Sequence, residues 1–84
     1  MKKKYIKIYG IHDAIVLVNM ATEVKGDVTI SRGKYAVDAK SILGVMALDV
    51  SSGVTIEYPF SAKEFDEYIS QFEITLNKEK YRNN

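Results

Sequence analysis

The stretch VTISRGKYAVDAKSILGVMALDVSSGVTIEY, residues 28–58, carries the pattern from which the architecture can be read. Its apolar residues change period twice. Val28 and Ile30, then Tyr35 and Val37, alternate on either side of Arg32-Gly33, the pattern of a β-hairpin closed by a tight turn. A short helix is predicted next, from about Ile42 to Asp49, with Ser41 as N-cap accepting a hydrogen bond from a free backbone amide. Gly44 lies inside that helix, where glycine costs up to about 1 kcal/mol relative to alanine. Close packing against a neighbouring element is the expected compensation. Val54, Ile56 and Tyr58 then alternate as a strand.

Upstream, Ile6 and Ile8 alternate with Tyr5, Lys7 and Tyr9 over residues 4–9, a half-buried strand that Gly10 ends. From Asp13 to Lys25 the apolar residues Ala14, Leu17, Val18, Ala21 and Val24 fall on one helical face, with Gly26 suited to the C-terminal cap. Downstream, Ser61-Ala62-Lys63-Glu64 has the form of a capping box, with Phe60 and Phe65 placed as a hydrophobic staple across it. The helix expected there buries Phe65, Ile69, Phe72 and Leu76, and residues 78–84 read as a polar, frayed tail. The order β-α-β-β-α-β-α over residues 1–84 predicts a single α+β domain, a two-layer open-faced sandwich. Its four-stranded antiparallel sheet is expected to carry three helices on one face.

Composition narrows the chemistry. The 84 residues include no cysteine and one histidine, which removes disulfides, thiolate metal clusters, a cysteine nucleophile and multi-histidine metal sites. No metal and no cofactor is expected. No apolar run reaches the roughly 18 to 20 residues of a membrane-spanning helix. Met-Lys-Lys-Lys at the start looks like the basic region of a signal peptide. Lys7 and Gly10 interrupt the apolar stretch behind it, however, and no small-residue cleavage site is evident after Ile15 to Val18. A cytoplasmic location without membrane insertion is the expectation. Residues 8–77 carry ten acids and five bases, whereas residues 1–7 and 78–84 together carry seven bases and one acid. The result is an acidic body with basic ends, the terminal lysines being read as solubilising frayed ends.

The segment Lys40-Ser41-Ile42-Leu43-Gly44-Val45-Met46-Ala47-Leu48, ending in Gly53-Val54-Thr55-Ile56, resembles the signature around the regulatory serine of HPr. HPr is the histidine phosphocarrier family of the bacterial phosphoenolpyruvate-dependent sugar phosphotransferase system. Val16 to Asn19 and Val28 to Ile30 are similar to the family's first helix and second strand, and Gly10-Ile11-His12 to its active-site tripeptide. The resemblance covers essentially the whole chain. It implies a protein that is not an enzyme but at most a phosphoryl carrier. His12 would take phosphate from Enzyme I and pass it to enzyme II proteins. Ser41 would be the site of regulatory phosphorylation by HPr kinase/phosphorylase in Gram-positive bacteria, read by a transcriptional regulator. The short second helix and the first helix would form the docking surface, with Ile42, Leu43 and Met46 as partner-binding residues. At a period of 3.6 these three cannot all face inward, so one or two are expected to lie exposed.

The chain departs from the family at the histidine. The family continues Gly-Ile-His with Ala-Arg-Pro-Ala, whereas His12 is followed by Asp13-Ala14, and three further residues are missing between Tyr9 and Gly10. A phosphohistidine needs a neutral nitrogen as nucleophile, together with donors and positive charge around the phosphoryl group. A helix N-terminus supplies amides and partial charge, but the arginine that would grip phosphate bidentately is gone. At roughly 6 Å and intermediate dielectric, Asp13 opposes a phosphorylated His12 by on the order of 1 to 3 kcal/mol. His12 as an inert loop residue beside an Asp13 cap, Ser41 as a simple N-cap, and Ile42, Leu43 and Met46 as core residues are the corresponding structural readings.

The alternatives are a degenerate HPr-like protein-interaction module without phosphotransfer and, more distantly, an RNA-binding sheet. In the latter, Tyr5, Tyr9 and four N-terminal lysines would form a stacking platform. The acidic body disfavours nucleic acid. The carboxylates Asp38, Asp49, Glu57, Glu64, Asp66 and Glu67 sit on solvated faces without a second histidine, which argues against independent catalysis. A monomer is expected.

Overall fold

Hydrophobic alternation organises residues 1–74, the part of the chain that the computed structural model describes. The elements run β1 (Lys2–Ile6), α1 (Ile11–Thr22), β2 (Thr29–Arg32), β3 (Tyr35–Asp38), α2 (Ile42–Ala47), β4 (Val54–Tyr58) and α3 (Lys63–Ser70). A short 3-10 turn at Val50–Ser52 leads into β4. The sheet is wholly antiparallel in the order β1-β4-β2-β3, with Ile6 opposite Val54 and Ile30 opposite Ile56. Residues two apart on a strand share a face. Val54, Ile56 and Tyr58 are accordingly buried, while Thr55 and Glu57 are only half-buried. The buried layer is completed by Ala14, Leu17, Val18 and Ala21 of α1, Val45 of α2, and Phe65 and Ile69 of α3. This is the expected open-faced sandwich.

Several boundaries differ from the sequence expectation. The first strand is Lys2–Ile6 rather than residues 4–9. It ends there because beyond Ile6 the backbone bonds elsewhere, the Lys7 amide donating to the Phe72 carbonyl and the Ile8 amide to the Val50 carbonyl; Ile8 is nonetheless buried. The hairpin turns at Gly33-Lys34, one residue later than expected. Only Gly33 has positive φ (61°) there, as a two-residue type II′ turn requires. α1 ends at a Glu23 cap and not at Gly26. The second helix stops at Ala47, short of Asp49. Asp49 itself adopts a left-handed conformation (φ 53°), and its carboxylate accepts hydrogen bonds from the Ser51 and Ser52 hydroxyls.

The capping box does not form. α3 begins at Lys63, its N-cap is Ala62 without a side-chain bond, and Phe60 is 69% exposed, so no staple closes over Phe65. Phe65 turns instead onto Tyr58, edge to face at 5.3 Å between ring centroids. Leu76 and the tail at 78–84 lie outside the described residues.

The N-terminal lysines are not loose ends. β1 aligns Lys2 and Lys4 beneath α3, where Lys2 pairs with Asp66 at 3.1 Å and Lys4 with Asp66 at 3.9 Å and Glu73 at 3.4 Å. Tyr58 donates its hydroxyl to the same Asp66 carboxylate at 2.5 Å. That bond, with Lys2 and Lys4 behind it, holds the Asp66 carboxyl below its usual range against the opposing effect of burial. Burial, reinforced by Asp66, raises the Tyr58 phenol well above its usual range.

Candidate functional site

Gly10 shapes the histidine end of the molecule. Its φ of 89° turns the chain from the β1 side into α1, a conformation strained for any residue with a side chain, and it caps the helix without a side-chain acceptor. The first helical bond runs from the Ala14 amide to the Gly10 carbonyl at 3.3 Å. The amides of Ile11, His12 and Asp13 thus lie at the open end of a twelve-residue helix, where partial positive charge collects. His12 is the second residue of α1 and is exposed. It is therefore a helical residue and not a loop residue, and Asp13 is not its cap: Asp13 stands in the first turn itself. The Asp13 carbonyl accepts a long bond from the Tyr68 hydroxyl at 3.5 Å, tying α1 to α3. Burial, followed by the charge of Asp13, pushes the Tyr68 phenol up.

Ser41 occupies the N-cap of α2 in extended conformation (φ −107°, ψ 113°), and its Oγ accepts from the Gly44 amide at 3.2 Å. Its own amide donates to the Asp38 carbonyl at 3.0 Å, while Asp38 Oδ1 accepts from the Lys40 amide at 2.9 Å. Lys40 Nζ reaches the Val24 carbonyl at 2.9 Å, joining the start of α2 to the segment after α1. Gly44 packs as its position demanded, since a Cβ there would lie 3.2 Å from Val37 Cβ. The approach of α2 to β3 that this allows leaves Val45 as the buried residue of the helix.

Ile42, Leu43 and Met46 are 38%, 81% and 47% exposed, so all three face outward and not merely one or two of them. Tyr9, Ile11 and Ile15 are exposed as well. Ile11 and Ile15 are absent from the sequence expectation, although a signal was present. Ile11 and Ile15 are four apart, on a face of α1 that excludes its buried stripe of Ala14, Leu17, Val18 and Ala21. α1 and α2 pack against each other, so the two helices that carry His12 and Ser41 are neighbours.

The nucleic-acid reading finds less support. Lys2, Lys3 and Lys4 are engaged by Asp66, Glu57 and Glu73, and the Tyr5 ring lies against Gly53. Among the described residues no helix is long and apolar enough to cross a membrane, and no group of three His, Cys, Asp or Glu side chains is placed to hold a metal.

Comparison with known proteins agrees with this geometry. The family model described as the PTS HPr component phosphorylation site matches residues 10–78. HPr-C-His from Thermoanaerobacter tengcongensis superposes with a TM-score of 0.69 at 24% identity, over 84% of this chain and 89% of that one. A phosphocarrier protein HPr from Bacillus anthracis strain Ames gives 0.63 at 23% identity, over 87% and 96% of the two chains. At these identities the structures establish a common fold.

Proposed function

The chain belongs to the HPr family of the phosphotransferase system, a family of phosphocarriers rather than enzymes, and on that basis we propose that His12 is its phosphoryl acceptor and Ser41 its regulatory phosphorylation site. The observation that carries the reading is the placement of His12: exposed, in the first turn of α1, at amides without a side-chain cap. A neutral imidazole nitrogen attacks the phosphorus of phosphorylated Enzyme I, the bond to the donor nitrogen breaks, and the dianionic group is received by the helix end. Asp13 works against this step by like-charge repulsion. It keeps the phosphoryl group high in transfer potential toward an enzyme II protein.

Phosphate on Ser41 Oγ meets the start of α2, where the hydroxyl already takes the Gly44 amide, so the modification is accommodated without unfolding. Two charges are then added beside Leu43, the most exposed of the apolar residues on that helix. Docking of Enzyme I, the enzyme II proteins and HPr kinase/phosphorylase on Ile11, Ile15, Ile42, Leu43 and Met46 belongs to the same reading, and a transcriptional regulator would read the phosphoserine.

Incubation with the host's Enzyme I and phosphoenolpyruvate is expected to give an acid-labile, base-stable phosphate that His12→Ala abolishes. Incubation with the cognate kinase and ATP is expected to give an acid-stable phosphate that Ser41→Ala abolishes. If neither adduct forms, phosphotransfer is excluded. The second reading, a protein-interaction module using the same apolar surface, then stands; Asp13 and the missing arginine favour it.

A further inference from the structure

β3 is an edge strand whose only neighbour among the described residues is β2, and we propose that this edge is the interface of a homodimer in which two copies pair β3 against β3 into one eight-stranded sheet. The inference is independent of phosphotransfer. The Ala39 amide donates to the Val28 carbonyl at 2.8 Å, which fixes the phase of the β2–β3 ladder. Hydrogen-bonded and non-hydrogen-bonded pairs alternate along an antiparallel ladder, so Ile30–Val37 and Arg32–Tyr35 are bonded pairs. The backbone groups of Ala36 and the amide of Asp38 therefore point away from β2, toward the open edge. No proline interrupts the strand, and its central residue Ala36 is small and exposed. The chain after α3 leaves at the opposite side of the sheet, where the Ile74 amide bonds the Tyr5 carbonyl beside β1.

A second copy of this chain is the occupant because the edge is complementary to itself. With Ala36 opposite Ala36 of the partner subunit, two-fold symmetry sets Lys34 opposite Asp38 of the partner subunit and Tyr35 opposite Val37 of the partner subunit. Registers displaced toward the C-terminal end of the strand fail on charge. One step sets Lys34 against Lys40 of the partner subunit, and two steps set Asp38 against Asp38 of the partner subunit. Displacement the other way loses the lysine–aspartate pair, and two steps set Lys34 against Lys34 of the partner subunit. In the favoured register Tyr35 stands on the helix side of the sheet, the side on which Val37 meets Gly44. Its ring is 66% exposed in the single chain, at a groove of about 320 Å³ floored by Val37, Ala47 and Leu48. Across the two-fold, each ring enters the other copy's groove, and the backbone bonds and both side-chain complements form together.

Sedimentation velocity of the full chain from about 10 μM to about 1 mM tests the proposal, a span suited to an interface at the small end of the size range. Concentration-dependent dimer is expected. Ala36→Pro, Tyr35→Ala and Lys34→Glu are each expected to weaken it on the order of tenfold or more, whereas Leu43→Glu on α2 leaves it unchanged. Tyr35→Ala and Lys34→Glu alter exposed side chains only, so they decide the matter even if Ala36→Pro perturbs folding. A wild-type chain that stays monomeric at about 1 mM overturns the proposal. So does a dimer that Leu43→Glu dissolves and the β3 variants leave intact.

Discussion

Replacing Gly53 by alanine adds one methyl group at the point where the 3-10 turn enters β4, and two separable penalties arise. Gly53 has φ 99° and ψ 125°, a backbone conformation that an L side chain rarely adopts. Holding alanine there costs about 1 to 3 kcal/mol. The added Cβ would also meet the Tyr5 ring, 2.8 Å from Cζ and 3.4 Å from Cε2, closer still to the hydroxyl. A phenol ring cannot bend away at its tip as a lysine can, so the ring must swing or β1 must shift, at about 1 to 3 kcal/mol. Gly53→Ala should therefore destabilise the protein by about 2 to 6 kcal/mol, much of the stability of so small a domain.

Tyr5→Ala removes the clash but not the backbone strain, so a double-mutant cycle separates the two. In the Tyr5→Ala background, Gly53→Ala should cost only about 1 to 3 kcal/mol, with a favourable coupling of similar size between the sites. Urea unfolding of the four proteins, followed by circular dichroism, supplies the numbers. Additivity within about 0.5 kcal/mol, or a Gly53→Ala variant as stable as wild type, would contradict this account of the site.

Three further outcomes are expected. Ser41→Ala should lower stability by about 1 kcal/mol through loss of the bond from the Gly44 amide, and Ser41→Asp should retain most of that amount; thermal melts distinguish them. Asp66→Asn should be less stable than wild type at neutral pH by about 1 kcal/mol. Because the folded Asp66 carboxyl titrates below its usual range, the stability it contributes is fully present above the unfolded carboxyl's pKa and is lost as pH falls through the folded value. Urea midpoints of the two proteins should accordingly converge in strong acid, and a constant gap would show that Asp66 acts otherwise. Leu43→Glu should leave stability within about 0.5 kcal/mol of wild type, since the side chain is 81% exposed. It should slow His12 phosphorylation by Enzyme I through a raised KM, and an unchanged KM would remove Leu43 from the docking surface.

The elements were legible where one face is apolar and the other polar. Val54, Ile56 and Tyr58, or Leu17, Val18 and Ala21, advertise their burial through a period set by backbone geometry alone. Gly44 was legible for a related reason: a glycine inside a short helix called for a close neighbour, and Val37 is that neighbour. Local signals that depend on end geometry fared worse. The Ser61 to Glu64 capping box and its Phe60 staple required α3 to begin one residue earlier. In the fold the helix begins at Lys63 with Ala62 as its cap, and Phe65 meets Tyr58 edge to face. His12 was found from its tripeptide, but its position inside α1 depends on the φ of Gly10, which no spacing rule reports.

The order of the elements, most of the core, and the two residues whose chemistry is at issue, His12 and Ser41, are written in the amino-acid sequence, whereas the burial of Ala39, Leu48 and Val50 is not. The former rest on short-range periodicity or on a contiguous motif. The roles of charges and of exposed apolar groups were settled by tertiary packing instead. Lys2 and Lys4 looked like a solubilising end and are ion-paired to Asp66 and Glu73, while Ile11 and Ile15, which the periodicity left unassigned, face solvent. The reason is physical: burial and pairing depend on which surfaces meet, and those surfaces lie about sixty positions apart in the chain, brought together only by the sheet order β1-β4-β2-β3.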